Sequence, residues 1–354
     1  MSDLSTHEKA AIQRINETID AYFAENIQEA AHISRYYEQL WQDMHRLIKS
    51  GGKRLRPRMV LRAHKAFGGM ESQQVVLIAT SQELLHMSLL VHDDVIDRDY
   101  VRYGVDNIAG NYFKTNYRAV ADEVDRLHYA QSAALLAGDL LISGSYRMMA
   151  ESGADTKALS AVQAIHSKSI FDVAGGELID TEAAFREMGD VDAHTVALYK
   201  TASYTFVGPL TIGATLAGAS SQSIERLKQF AQDLGIAYQL RDDVIGIFGD
   251  ESTIGKPTIS DIREGKHTFM VEEFYEQASN VQKQRFEQYF GSKDVTHDEA
   301  EDIKQLLIES GALARTETAI TQYAQKADDV LSQIDTGDMS ELRELITIVT
   351  KRDK

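Results

Sequence analysis

The chain of 354 residues contains no cysteine. This absence excludes a disulfide-stapled scaffold, a zinc site with thiolate ligands and catalysis by a thiol nucleophile. A chain of this length can bury a substantial hydrophobic core without such cross-links. A cysteine-free composition also suits a reducing compartment, so we expect a cytoplasmic protein.

Proline is scarce as well: Pro57, Pro209 and Pro257 are the only three, and each falls where a helix can begin or bend. No proline- or serine-rich linker divides the chain. Apolar residues recur at three- and four-residue steps, as in residues 223–236, whereas sustained two-residue alternation is missing. The sequence therefore predicts an all-α protein, a single large helical bundle that forms one domain over residues 1–354.

Basic residues are in the minority, because 37 lysines and arginines face 54 aspartates and glutamates, for a formal net charge of −17. This balance disfavours nucleic-acid binding, which needs a basic surface. Residues 1–28 are polar and of mixed charge, so we expect neither a signal peptide nor a transit peptide. The uncharged stretch 201–224 contains serine, threonine, glycine and proline, which favours buried helices over a transmembrane segment.

Residues 89–99 (LLVHDDVIDRD) place four carboxylates within seven residues, directly after an apolar run. On a helix, Asp93 and Asp97 project from the same face because they are four residues apart. Their charges repel each other unless a cation lies between them, and Mg²⁺ binds carboxylates together with substrate phosphates. The pattern indicates a magnesium site, and its plain alternative is a solvated acidic helix end.

A second pair of adjacent aspartates, Asp242 and Asp243, also interrupts a hydrophobic stretch at helical spacing. Carboxylates that are buried without a counter-ion are unfavourable. Two such interruptions in one helical domain favour a shared cation over two unrelated acidic turns.

Positive charge comes from residues 51–57 (GGKRLRP), where Lys53, Arg54 and Arg56 stand between two glycines and a proline that can start a helix. Such side chains bind diphosphate through charge-assisted hydrogen bonds, and a guanidinium can bind two oxygens at once. Taken alone, the cluster is more often a solvated turn. Further basic candidates with the same ambiguity are Lys200 with its neighbour Thr201, and Lys256 with Lys266.

The sequence thus offers carboxylates that can bind a metal ion and basic side chains that can bind phosphate. An enzyme that ionises a diphosphate ester needs both kinds of group. Mg²⁺ neutralises the leaving diphosphate, and apolar walls protect the resulting carbocation from water. The sequence has no Walker-type glycine-rich loop, HExxH motif or nucleophile elbow. The residues alone indicate diphosphate chemistry in a helical bundle.

The order and spacing of these motifs resemble the polyprenyl synthetase family, the all-trans isoprenyl diphosphate synthases. The motifs that carry the resemblance are GKRLRP at 52–57, HDDVID at 92–97, GELID at 176–180, KT at 200–201 and QLRDD at 239–243. The resemblance implies the helical bundle of isoprenoid synthases, Mg²⁺ as cofactor, and isopentenyl diphosphate with an allylic diphosphate as substrates. It also implies a homodimer.

The resemblance assigns a role to each matching residue. The implied magnesium ligands are Asp93, Asp97 and Asp242, supported by Asp94 and Asp243. The implied ligands of isopentenyl diphosphate are Lys53, Arg56 and His86, and those of the allylic diphosphate are Arg102, Lys200 and Lys256, with Lys266 as a further substrate-binding residue. The implied catalytic residues are Lys200, Thr201 and Gln239, which face the developing cation, and Asp180, which lies near the reacting carbons.

Product length is expected to depend on Ser88 and Leu89, five and four residues before Asp93. Relatives that make farnesyl diphosphate usually have an aromatic residue at one of these positions. A serine leaves the tunnel for the growing chain open, which favours geranylgeranyl or longer products.

The sequence departs from the family pattern at several positions. Gly246 replaces a third aspartate of the second motif, and Glu177 stands in a glutamine position. Tyr103 replaces an arginine that normally helps to bind isopentenyl diphosphate, and Asp106 with Asn107 replace a Pro-Thr pair. From Tyr103 we expect weaker or altered binding of that substrate.

Two other functions stay open. A catalytically weak subunit that partners an active synthase is favoured by Tyr103. A class I terpene cyclase shares the bundle and a first acidic motif, but Asp242, Asp243 and the basic residues Lys53 and Arg56 argue against it.

Overall fold

The computed structural model describes residues 6–116, 120–186, 190–249 and 259–351. Nearly all regular structure in these ranges is helical, which confirms the predicted all-α class. The helices of the first half are α1 (Thr6–Ile33), α2 (Arg35–Ser50), α3 (Leu55–Ala66), α4 (Gln73–Ile96), α5 (Ile108–Asn111), the π-helix π1 (Tyr112–Asn116) and α6 (Glu123–Ala150). The later helices are α7 (Thr156–Ala183), α8 (Ala193–Val196), the π-helix π2 (Ala197–Val207), α9 (Gly208–Leu216), α10 (Ser221–Phe248), α11 (Ile259–Glu264), α12 (Phe269–Gln277), α13 (Asn280–Glu287), α14 (His297–Glu309), α15 (Ala312–Leu331) and α16 (Ser340–Thr350).

These residues form two compact units. Unit 1 contains the residues up to Lys65 and Gly69–Gln163, and unit 2 contains Ala66–Gly68 and the residues from Ala164 onward. The chain passes from the first unit to the second within α7. The single domain expected over the whole chain stays a prediction.

Aromatic packing holds α1 and α2 together in unit 1. Helix α2 begins where the hydroxyl of Ser34 accepts a hydrogen bond from the amide of Tyr37 (3.1 Å), which satisfies one amide of the first turn. The buried ring of Trp41 on α2 lies edge-on to Phe23 of α1, with ring centroids 5.9 Å apart. Burying a ring of this size stabilises the fold by roughly 2 kcal/mol.

Helix α4 is the central helix of unit 1, and most of its residues are buried. Among the described residues, it is the one helix whose length and composition would allow it to cross a membrane. This is weak evidence for a span, because a buried core helix has the same properties and most of the apolar window of α4 is buried.

Residues 101–106 form a small hairpin that the sequence pattern did not predict. Its strands are β1 (Val101–Arg102) and β2 (Val105–Asp106), which pair antiparallel. Tyr103 and Gly104 form the two-residue turn, and both have positive φ (54° and 75°), as a type I′ turn requires. Strands of two residues are too short to show alternation, so periodicity could not reveal them.

In unit 2, π2 contacts both α7 and α10 at unusually short range. A Cβ on Gly176 of α7 would lie 2.2 Å from the backbone nitrogen of Lys200, and one on Gly235 of α10 would lie 2.4 Å from the Cβ of Ala202. Only residues without a side chain permit such an approach. π-Helices are rare in proteins, and many of those that occur lie at functional sites. Helix π2 carries both Lys200 and Thr201.

Helices α11 to α15 share a hydrophobic core with Ile247 of α10. The ring of Phe274 on α12 stacks on Phe286 of α13, with centroids 4.5 Å apart, and Ile303 of α14 is buried in the same cluster. The guanidinium of Arg241 on α10 donates to both carboxylate oxygens of Glu317 on α15 (2.7 Å each). This bidentate pair fixes α15 against the helix that carries the second acidic motif.

Candidate active site

The first acidic motif lies at the C-terminal end of α4. Asp93 is half-buried, and Asp97 is the exposed residue that caps the helix, with its amide donating to the carbonyl oxygen of Asp93 (2.8 Å). The two side chains project from one face, and a carboxylate oxygen of each lies within 4.8 Å of the other. Two carboxylates at this separation can approach one hard divalent cation.

Arg102 of β1 binds the first motif from the hairpin. Its Nε donates to Oδ1 of Asp94 (2.7 Å), and its Nη2 donates to Oδ2 of Asp93 (3.1 Å). Burial raises the pKa of Asp94 to about 6, although the Arg102 guanidinium opposes this rise. The role of Arg102 at the allylic diphosphate stays a prediction, and in the structure its charge balances the carboxylates of the motif.

The basic residues Lys53, Arg54 and Arg56, just before and at the start of α3, have different surroundings. Lys53 is exposed and Arg56 is half-buried at the start of α3, so both can present their charge to an anion. Arg54 points inward, and its Nη1 lies 2.8 Å from Oε1 of Glu83 on α4. Sequence reasoning missed Glu83, although a carboxylate inside the apolar run of α4 is a signal for a buried ion pair.

His86 lies seven residues before Asp93 on α4, and therefore on nearly the same helix face. Its pKa is lowered well below the usual value, first by burial and then by the positive charges of Arg56, Arg102 and Arg54. The imidazole is therefore neutral at pH 7 and can donate a hydrogen bond without carrying a charge. The influence of Arg56 also indicates that two residues predicted to bind isopentenyl diphosphate lie near each other.

The ring of Tyr103 packs directly on Gly51, because a Cβ on that glycine would lie 2.5 Å from Cγ of the tyrosine. The pKa of Tyr103 is raised, first by desolvation and then by the negative charge of Glu83, while Arg102 and Arg56 oppose the rise. The tyrosine thus lies in the electrostatic environment of the basic residues, at the position where the family pattern has an arginine.

In unit 2, Lys200 of π2 lies between two carboxylates of α7. Its Nζ is 2.5 Å from Oδ2 of Asp180 and 3.0 Å from Oε2 of Glu177. The carboxylates are three residues apart on one helix and face the same side. The side chain of Lys200 is 25% exposed, so this ion-paired group is not sealed inside the core. The structure thus brings together the predicted residues Lys200 and Asp180.

A chain of hydrogen bonds joins π2 to the second acidic motif. The hydroxyl of Thr201 donates to Oε1 of Gln239 (2.5 Å), and Nε2 of Gln239 donates to Oδ1 of Asp243 (2.8 Å). Burial raises the pKa of Asp243 to about 7. The hydrogen bond from Gln239 opposes this rise, and the negative charge of Asp242 adds to it. Asp242 is half-buried on the same helix. Three residues of the predicted site are therefore in direct contact.

Lys266 follows α11 and pairs with carboxylates of its own segment. Its Nζ lies 2.9 Å from Oε2 of Glu264 and 3.9 Å from Oδ1 of Asp261. Burial lowers the pKa of Lys266, but these two carboxylates outweigh burial and raise it above the usual value. Lys256, the other basic residue predicted in this region, lies outside the described residues.

Ser88 and Leu89 have different environments on α4. The hydroxyl of Ser88 donates to the carbonyl oxygen of Gly138 on α6 (2.8 Å), and the side chain is fully buried there. Leu89 is half-buried and lies four residues before Asp93, on the face of that aspartate. Of the two residues predicted to set product length, Leu89 has the surface that a chain growing from the first motif can contact.

The donors around both acidic motifs fit Mg²⁺, which prefers carboxylate oxygens. In unit 1, Oδ2 of Asp94 is buried and accepts no hydrogen bond from the described residues, so it can accept from a metal-bound water or bind a cation. In unit 2, Asp242 and Asp243 offer adjacent carboxylates on α10. These features, within an all-helical fold, are typical of enzymes that bind a divalent cation and act on diphosphates.

Comparison with known proteins gives the family. Residues 37–307 match the family described as polyprenyl synthetase, and the chain belongs to that family. It is 31% identical to the geranylfarnesyl diphosphate synthase of Aeropyrum pernix over 312 residues, which cover 86% of this chain and 90% of the relative. It is 28% identical to the geranylgeranyl diphosphate synthase of Sulfolobus acidocaldarius over 323 residues, which cover 89% of this chain and 92% of the relative.

Comparison with a solved structure supports the same family. The geranylgeranyl pyrophosphate synthase of Corynebacterium glutamicum, complexed with isoprenyl diphosphate and magnesium, superposes with a TM-score of 0.86 at 29% identity. The match covers 96% of this chain and 99% of that one. The family and these relatives identify the chain as a prenyltransferase, which confirms the predicted class of enzyme.

Proposed function

We propose that the chain is a Mg²⁺-dependent trans-prenyltransferase that condenses an allylic diphosphate with isopentenyl diphosphate to give geranylgeranyl or a longer polyprenyl diphosphate. The observation that carries the proposal is the arrangement of three side chains on α4 in unit 1. His86 lies seven residues, or about two turns, before Asp93 on α4, and Asp93 and Asp97 share one face of that helix. The relatives named as geranylgeranyl and geranylfarnesyl diphosphate synthases support the product range.

Isopentenyl diphosphate would bind to Lys53, Arg56 and His86. The two cations provide charge-assisted hydrogen bonds to the diphosphate oxygens. His86 would add a neutral hydrogen-bond donor that orients the diphosphate.

The carboxylates Asp93, Asp97 and Asp242 would hold Mg²⁺, supported by Asp94 and Asp243. Mg²⁺ bound there would neutralise charge on the diphosphate that leaves the allylic substrate. Arg102, which pairs with Asp93 and Asp94, would keep the first motif from repelling that diphosphate before the metal is bound.

Lys200 would bind the allylic diphosphate, and Lys256 and Lys266 would add positive charge to the same group. Asp180 fixes the direction of the Lys200 ammonium group through their 2.5 Å contact. When the allylic C–O bond breaks, its electron pair leaves with the diphosphate. The double bond of isopentenyl diphosphate then supplies the electrons of the new C–C bond, and loss of a proton restores a double bond.

Thr201 and Gln239 would lower the energy of the allylic cation. Their oxygens are fixed by the hydrogen bonds that run from Thr201 through Gln239 to Asp243. Dipoles that are oriented before the reaction stabilise a developing charge without having to reorganise.

The proposal includes a homodimer in the cytoplasm. On α6, the side chains of Val124, Leu135 and Leu136 are exposed, which is typical of a helix that packs on another subunit. Light scattering is expected to give about twice the chain mass of 39.5 kDa. A monomer at micromolar concentration would contradict the dimer.

One assay tests the activity. The purified protein is incubated with Mg²⁺, radiolabelled isopentenyl diphosphate and either geranyl or farnesyl diphosphate, and the products are sized. Labelled products extended by five-carbon units are expected, whereas release of hydrocarbon without incorporation of label would indicate a terpene cyclase. A second candidate function is that of a catalytically weak subunit of a heteromeric synthase, because Tyr103 replaces the arginine of the family pattern. Absence of turnover in both the wild type and Tyr103→Arg would support this candidate.

A further inference from the structure

Asn107 closes the segment that joins the first acidic motif to α5. Its side chain is fully buried and forms hydrogen bonds in two directions. Oδ1 accepts from the amide of Gly110 (2.8 Å) and so caps α5, while Nδ2 donates to the carbonyl oxygen of Asp99 (2.9 Å). The amide of Asn107 also donates to the carbonyl oxygen of Tyr100 (3.1 Å). One residue therefore joins the two ends of segment 99–107.

The closed segment contains the hairpin of β1 and β2, which carries Arg102. In that hairpin Val101 pairs with Asp106, and Arg102 pairs with Val105, so Asn107 directly follows the pair at the open end. A two-stranded hairpin is at best marginally stable on its own. Contacts at the open end are therefore needed to hold the hairpin, and Arg102 with it, in one position.

Asp106, which with Asn107 departs from the family pattern, ties the same end of the hairpin to two helices. Its carboxylate accepts from Nζ of Lys114 on π1 (2.7 Å), and its carbonyl oxygen accepts from Nη2 of Arg46 on α2 (3.1 Å). At the other end of the segment, the amide of Asp99 donates to the carbonyl oxygen of Asp94 on α4 (2.8 Å). The hairpin is thus attached both to its neighbours and to the helix of the acidic motif.

Gly110 permits the close approach on which this closure depends. A Cβ on Gly110 would lie 2.1 Å from the carbonyl oxygen of Tyr100, the oxygen that accepts from the amide of Asn107. A side chain at residue 110 would therefore push the segment away from α5. The ring of Tyr100 also stacks on Phe113, with centroids 5.4 Å apart, which fixes the same part of the segment.

We propose that Asn107 is a positioning residue for the binding of the allylic diphosphate, because it holds the hairpin so that Arg102 reaches the first acidic motif. The side-chain amide is required for this role. A helix cap needs only an acceptor, whereas the bond to Asp99 needs a donor. The inference rests on the proposed function in one respect, that Arg102 assists the binding of the allylic diphosphate.

Asn107→Asp separates the two side-chain hydrogen bonds. The carboxylate can still accept from Gly110, and aspartate caps helices as well as asparagine does, but it cannot donate to Asp99. KM for farnesyl diphosphate, measured with saturating radiolabelled isopentenyl diphosphate, should rise by roughly tenfold. The change in kcat should stay below about threefold, since a loss of binding shared by the ground state and the transition state raises KM alone.

Two further substitutions of Asn107 test the hydrogen bond itself. Asn107→Gly removes the donor without adding a charge, and glycine is accepted as a cap, so KM should rise to a similar extent even if Asn107→Asp fails to fold. An unchanged KM in folded Asn107→Gly would overturn the inference. Asn107→Thr introduces the residue of the family pattern, whose hydroxyl can both accept and donate, and should keep KM within about threefold of the wild type. A tenfold rise in this variant also would contradict the role of the donor.

A double-mutant cycle with Arg102→Ala separates the possible failures. If Asn107 acts through Arg102, Asn107→Gly should raise KM little further in the Arg102→Ala background, and additive effects would overturn this inference alone. An unchanged KM in Arg102→Ala itself would overturn the proposed role of Arg102 and this inference with it. Asp122→Asn is the matched control, because Asp122 caps α6, and it should leave KM within about twofold of the wild type.

Discussion

The guanidinium of Arg54 and the carboxylate of Glu83 form a buried ion pair, with Nη1 2.8 Å from Oε1. Arg54 also donates to Asn16 and to the carbonyl oxygens of Gly51 and Ile48. Its φ of 51° lies in the left-handed region, which is unfavourable for a residue with a side chain. The pair and its hydrogen bonds hold this backbone in place, so Arg54 fixes both the loop that carries Lys53 and the start of α3, which carries Arg56.

Glu83→Gln should therefore destabilise the fold, because it leaves the buried guanidinium without a compensating charge. We expect the free energy of unfolding to fall by about 3 kcal/mol, measured by urea unfolding followed by circular dichroism. Glu301→Gln is the control, since Glu301 pairs with Lys304 on the surface and such pairs contribute about 0–1 kcal/mol. Equal effects of the two substitutions would show that the Arg54 pair is not a structural anchor.

Asp93→Asn tests the metal role of the first motif. The substitution keeps the shape of the side chain but removes its charge, so kcat/KM should fall by roughly 100-fold or more, since a catalytic metal stabilises the transition state by several kcal/mol. Excess Mg²⁺ should recover part of the loss. Asp139→Asn, which changes an exposed carboxylate on α6, should leave the rate unchanged. Near wild-type activity of Asp93→Asn would remove Asp93 from the site.

The sequence predicted the long helices and the motifs on them, because both depend on local periodicity and on charges that interrupt apolar runs. It did not predict that Lys200 and Thr201 lie on a π-helix, which packs closely against Gly176 and Gly235 of two other helices. The spacing of apolar residues alone does not report such tertiary contacts.

The candidate site shows the same division between local and tertiary information. Adjacent aspartates and the basic cluster are visible in the sequence, but the inward direction of Arg54 depends on Glu83, 29 residues away. The contact between Asp261 and Gly246 likewise exists only in the fold, because the two residues are far apart in sequence. Spacing along the chain does not encode pairs of this kind.

The stability of unit 2 should depend on pH through Glu272. This half-buried carboxylate accepts a hydrogen bond from the amide of Ala193 (2.7 Å), yet burial raises its pKa from 4.5 to about 7, and Asp192 adds to the rise. Because the folded state binds the proton more tightly than the unfolded state, stability decreases as the pH rises from about 4.5 to about 7.

Glu272→Gln removes this titration and keeps an oxygen that can accept from Ala193. Its melting temperature should exceed that of the wild type by roughly 2 °C at pH 8 and equal it at pH 4.5. The exposed Glu276 on the same helix gives the matched control, Glu276→Gln. A pH-independent difference between Glu272→Gln and the wild type would show that ionisation of Glu272 is not responsible.

Product length should respond to Leu89 and not to Ser88. Leu89→Phe places bulk on the face of Asp93 and should shorten the product by at least one five-carbon unit, whereas Leu89→Ala should lengthen it; both are read by chromatography of the dephosphorylated products. Ser88→Phe should instead overpack the contact with Gly138 of α6 and lower stability by about 1–3 kcal/mol. A shortened product from a stable Ser88→Phe enzyme would reverse this assignment.

Tyr103→Arg should tighten the binding of isopentenyl diphosphate. The tyrosine packs on Gly51 within the electrostatic influence of Arg56 and Arg102, so a guanidinium at its position can reach the anion that these residues would bind. A hydrogen bond to a charged group contributes about 1.5–3 kcal/mol, and we expect KM for this substrate to fall by roughly tenfold with a smaller change in kcat. Val101→Arg adds the same charge at an exposed position of the hairpin and should change KM little. Equal effects of both variants would mean that general attraction of the anion, and not a contact at residue 103, lowers KM.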